Sequence, residues 1–104
     1  MSKIKAKKIV IQYARALQAS HYSFSAIYLF GSQVKGTANR WSDIDIAVVS
    51  NRLQRDYDAN RFALWKIRRQ VDLRIEPHGF TVKDFANNAN PMAYEIRKTG
   101  MRVV

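Results

Sequence analysis

The chain has 104 residues, 47% of them hydrophobic, and 18 Lys and Arg against 8 Asp and Glu give a formal net charge of +10. That length suits one domain over residues 1–104 with an adequate core, and the basic excess favours anionic partners: nucleotides, nucleic acid or an acidic protein. The absence of cysteine excludes disulfides, zinc–thiolate sites and thiol nucleophiles, and no apolar run approaches the roughly eighteen residues of a membrane span.

The lysine-rich start is interrupted by Gln12, Tyr13 and Arg15, unlike a signal peptide, so a cytoplasmic location is expected. Residues 3–19 should form a helix, with Val10, Tyr13, Ala14 and Leu17 spaced along one buried face. Lys3, Lys5, Lys7, Lys8 and Arg15 surround the rest of the cylinder. No aromatic is interleaved with them for base stacking, so a solvated face is the reading preferred to RNA binding. Residues 20–25 connect to a strand over 26–30, which drops straight into Gly31-Ser32. A Gly-Ser turn after a strand presents bare backbone N–H groups and a hydroxyl, a site suited to a polyphosphate. Lys35 and Arg40 supply cations nearby.

Ser42-Asp43-Ile44-Asp45 then opens a second apolar run, Ile46 to Val49. On a strand Asp43 and Asp45 project from one face, with Cα atoms roughly 6.6–7 Å apart. Such carboxylates raise each other's pKa unless a cation sits between them, and Mg2+, a hard oxygen-seeking ion, is the usual answer. Trp41, just before the pair, reads as a loop anchor ahead of a base-stacking platform. Gly-Ser turns and D-x-D pairs are each common. Strand, Gly-Ser, ten residues, then D-x-D opening another strand is a specific order.

Residues 51–58 read as a charged loop or frayed helix start, and 59–69 as a helix with Ala63, Leu64 and Ile67 inward. Phe62 and Trp65 lie off that stripe, either as a protein contact or buried under a loop. Residues 71–76 alternate apolar and charged, predicting a half-buried strand with Asp72, Arg74 and Glu76 on one face. Pro77 should end it in a turn that exposes His78. Residues 80–90 give no clear element; Asn90-Pro91 opens a helix that Gly100 closes. The expected fold class is α+β, a small mixed sheet of three or four strands flanked by helices.

Gly31-Ser32, Lys35-Gly36, Ser42-Asp43-Ile44-Asp45 and a later carboxylate together resemble the nucleotidyltransferases of the DNA polymerase beta superfamily. Within it the chain is most similar to the minimal nucleotidyltransferases, over about residues 25–76. The resemblance implies that Asp43 and Asp45 bind two Mg2+ ions, one shared with a third carboxylate from the neighbouring strand. Asp72 matches that position and is taken ahead of Glu76, which lies farther along the same face. Gly31 and Ser32 would hold the outer phosphates of ATP, with Lys35 assisting. Many relatives carry Arg where Lys35 stands; Lys offers the charge without the bidentate fork. The implied reaction moves AMP from ATP to an acceptor hydroxyl. Such domains commonly serve as antitoxins to a HEPN-type RNase toxin, binding it and adenylylating one of its tyrosines. Two other readings stand beside this one: a binding-only antitoxin and a basic RNA-binding module.

Overall fold

Ser2 accepts a hydrogen bond from the Lys5 N–H and so caps α1 (Lys3–Ala19). The structure, a computed structural model, describes residues 2–39 and 41–104. The remaining strands and α-helices are β1 (Ala26–Phe30), the short α2 (Ser32–Lys35), β2 (Ile44–Val49), α3 (Tyr57–Ile67), β3 (Ile75–Phe80), α4 (Val82–Ala86), α5 (Pro91–Thr99) and β4 (Met101–Arg102), with short 3-10 turns at Asn51–Gln54 and Arg68–Gln70. Side-chain caps set several helix starts: Asp56 for α3, Thr81 for α4, and Asn90 with Pro91 behind it for α5.

The four strands lie in the order β3-β2-β1-β4. β1 runs antiparallel to β2 and β4, whereas β2 and β3 are parallel and need the α3 crossover between them. Period two then divides the sheet into two faces. Ile27, Leu29, Ile46, Val48 and Ile75 pack with Val10, Tyr13 and Leu17 of α1 and with Leu64 and Ile67 of α3. Each fully buried Ile or Leu there contributes roughly 1.5–3 kcal/mol. The Tyr13 hydroxyl donates to the Leu64 carbonyl at 2.8 Å and ties the two helices together. On the opposite face Ala26, Ala47, Val49 and Phe80 meet Phe85 of α4 and Ala93 and Ile96 of α5. No helix among the described residues is long and apolar enough to cross a membrane.

The expected strand over 71–76 is corrected to Ile75–Phe80. Asp72 Oδ1 accepts from the Arg74 backbone N–H at 2.9 Å, a local Asx-type turn that competes with extended backbone. Leu73, expected inward, is 65% exposed. Arg68 closes the turn from the other side by donating to the carbonyls of Leu73 and Ile75. Pro77 does not end the strand but lies within it, as β3 is the edge strand and the missing N–H costs no ladder bond. The expected turn over 77–79 is therefore strand. Trp41 is 78% exposed, so it does not anchor its loop by burial.

Candidate active site

The site forms where the end of β1 meets the starts of β2 and β3. Phe30 pairs with Asp45, and Asp45 pairs with Glu76. The parallel register thus puts two carboxylates side by side on the α4/α5 face of the sheet, and His78 follows two residues along. One oxygen each from Asp45 and Glu76 and one ring nitrogen of His78 all lie within 4.8 Å of one another. His78 Nε2 is 3.4 Å from Asp45 Oδ1, a long contact, and the His78 ring stands edge-on to Phe30 with centroids 5.3 Å apart.

The two carboxyls are pushed in opposite directions. The hydrogen-bonding contact with His78 holds Asp45 below the ordinary carboxylate range, against the opposing effect of its burial. Burial raises Glu76, and the neighbouring Asp45 and Asp43 raise it further. Of the two, Glu76 therefore has the higher proton affinity when nothing cationic stands between them.

Gly31 brings the Gly-Ser turn against this cluster. Its φ of +76° favours glycine, and a Cβ built there would sit 2.9 Å from Asp45 Oδ2. Gly31→Ala should accordingly destabilise the fold by about 1–3 kcal/mol, because φ +76° with ψ −146° is backbone that only glycine adopts readily, and also displace Asp45. Thermal melts and transfer rates would check both effects; an unperturbed variant would mean that the turn does not touch the site. Ser32 opens α2, and its hydroxyl makes no hydrogen bond among the described residues; Val34 and Lys35 N–H both donate to the Gly31 carbonyl at 3.1 Å, which leaves the Ser32 and Gln33 N–H groups as the helix's orphan donors. Behind it the buried Gln33 donates from Nε2 to the Asp43 carbonyl at 3.1 Å, joining the turn to the start of β2.

Of the residues singled out from sequence, Gly31, Ser32, Asp43 and Asp45 come to this one end of the sheet. Asp43 itself is exposed, just before β2, close enough to Glu76 to affect its charge. Lys35 is exposed at the far end of α2 and makes no ion pair among the described residues. Arg40 lies outside the described residues. Asp72 is set apart from the cluster: it precedes β3 and forms an ion pair with Arg74 at 2.7 Å, and that guanidinium holds its carboxyl below the ordinary range. Glu76, not Asp72, stands beside Asp45. His78 had been expected on an exposed turn; the signal for it was the period-two pair Glu76 and His78, hidden by the intervening Pro77.

A family model for the nucleotidyltransferase domain matches residues 10–99. The chain belongs to the nucleotidyltransferase domain family. The nucleotidyltransferase fold is also seen in a solved Sulfolobus solfataricus protein described as a "putative nucleotidyltransferase". The two share 18% identity with a TM-score of 0.66, over 96% of this chain and 80% of the other. No curated protein matches the chain. In this nucleotidyltransferase, the donor set fits a divalent cation: clustered carboxylate oxygens, one of them with a raised proton affinity, and an imidazole in contact. With Asp43, the oxygens alone suit the oxygen-seeking chemistry of Mg2+.

Proposed function

We propose that the chain transfers AMP from ATP to a hydroxyl of a partner protein. The observation that carries this reading is the convergence of Asp45, Glu76 and His78 beside the Gly31 turn. Asp43, Asp45 and Glu76 would hold divalent ions, Mg2+ by their oxygen chemistry. When bound, the ions neutralise triphosphate charge and acidify the acceptor hydroxyl. Gly31 and Ser32 bind the outer phosphates through backbone N–H groups and a hydroxyl, and Lys35 adds charge. Glu76, in place of Asp72, orients the acceptor and takes its proton. The acceptor oxygen bonds to the α-phosphorus, the α-phosphorus–oxygen bond to the β-phosphate breaks, and pyrophosphate leaves. His78 keeps Asp45 ionised and aimed at the cluster.

The partner comes from the resemblance to minimal nucleotidyltransferases: a HEPN-type toxin, bound as a hetero-oligomer in the cytoplasm, with the chain as antitoxin in a single domain. A +10 charge supports an acidic partner and faster encounter at low salt. Purified with the product of its neighbouring gene and supplied with Mg2+ and ATP, the chain should raise that product's mass by one or more AMP units. The Asp43→Asn, Asp45→Asn double variant should still bind the product but leave its mass unchanged. Association without any mass change in the wild type would favour the binding-only antitoxin.

A further inference from the structure

A groove of about 250 Å³ runs along the free edge of β3. Tyr57, Arg61 and Trp65, spaced by four residues on one face of α3, form one wall, and Met92 near the start of α5 contributes to the other. His78 is part of the lining and also touches Asp45, so the groove leads to the cluster described above. Its chemistry is one-sided. No Asp or Glu lines it, and the Arg61 guanidinium has no hydrogen bond or ion pair among the described residues. Tyr57 and Met92 leave 47% and 46% of their surface exposed and so present apolar surface beside the Arg61 charge.

The dimensions limit what can enter. The groove lies at the small end of the roughly 300–1,000 Å³ of pockets that enclose whole drug-sized ligands, a size that suits one side chain of a larger partner. A strand added to the β3 edge is disfavoured, since Pro77 offers no N–H to pair with it. A side chain entering across the edge is compatible with both facts.

We propose that this groove docks a partner protein through an acidic segment, one side chain entering between Tyr57 and Met92 while a neighbouring carboxylate pairs with Arg61. Docked there, the segment lies beside His78 and brings its hydroxyl to Glu76. Only that last step rests on the transfer reading; the docking does not.

The indole of Trp65 supplies the readout once Trp41 is replaced by Phe, as these are the two tryptophans of the chain. A glutamate-rich peptide with one central tyrosine should change the fluorescence of this protein saturably. The same peptide with lysines for glutamates should not. Arg61→Glu, at an exposed helix position, should melt as the parent does and weaken the acidic peptide by about tenfold or more; Arg61→Lys should lose less. Unchanged affinity in Arg61→Glu would overturn the proposal. So would saturable binding of a ten-nucleotide RNA with none of the acidic peptide, which would make the groove a nucleic-acid site. Incubation with Mg2+ and ATP separates the two readings. Peptide bound through Arg61 but never gaining AMP leaves the groove in place and removes the transfer step. AMP transfer undiminished by Arg61→Glu does the reverse.

Discussion

Glu76→Gln should reduce nucleotidyl transfer by at least about a hundredfold, the usual loss when a group that moves a proton is removed, whereas Asp72→Asn should leave it almost unchanged. The contrast follows from register. Glu76 pairs with Asp45 across parallel strands and shares its cluster. Asp72 stands in the turn before β3, occupied by Arg74 through its backbone N–H and its guanidinium. Removing Asp72 loosens that turn, and a modest fall in stability at neutral pH should follow. Arg74 lowers the folded pKa of Asp72, so the stabilisation is present above the unfolded value and disappears as pH falls through the folded one. Initial rates with α-labelled ATP for the two variants measure the contrast. Equal and large losses in both would return Asp72 to the site.

Divalent ions should raise the melting temperature of the wild type, and the gain should vanish in Glu76→Gln and in Asp45→Asn. At ten times its Kd an ion that binds only the folded chain adds about 1.4 kcal/mol, or roughly 5–10 °C for a domain of this size. In chelator, the order should reverse for Glu76. Its folded pKa lies above the ordinary 4.5 because burial and two neighbouring carboxylates oppose its charge. The folded state then keeps a proton that the unfolded chain has released, so wild-type stability falls as pH rises from 4.5 through the raised value. Glu76→Gln removes that fall and should melt no lower than the wild type at neutral pH without metal. Asp45→Asn should gain nothing, because His78 already favours the Asp45 charge. Calorimetric scans with Mg2+ and with chelator, at pH 5 and pH 7, check all three statements. A Glu76→Gln variant that unfolds early in chelator would make Glu76 structural.

Much of this architecture was legible in the residues. α1, β1, β2 and α5 follow from period, capping and Gly/Pro punctuation, and local rules dominate where one face of an element is plainly apolar. The Gly31-Ser32 and Asp43-x-Asp45 signals, both dependent on short-range geometry, lie together at one end of the sheet. That Glu76 rather than Asp72 stands beside Asp45 was not legible, for two physical reasons. Asp72 bonds to its own backbone two residues on, and this Asx-type turn overrides the alternation from Val71 to Glu76. Pro77 reads as a strand end unless the strand is known to be an edge, a property that only the sheet order β3-β2-β1-β4 reveals. His78 disappeared for the same reason, and with it the groove that leads from the β3 edge to Asp45.

The measurement that bears most directly on the site is a crystal structure of the chain with Mg2+ and a non-hydrolysable ATP analogue. Ions about 2.0–2.1 Å from oxygens of Asp43, Asp45 and Glu76, with the outer phosphates on the Gly31-Ser32 turn, are the predicted result. Metal held by Asp72, or a triphosphate bound away from that turn, would contradict it.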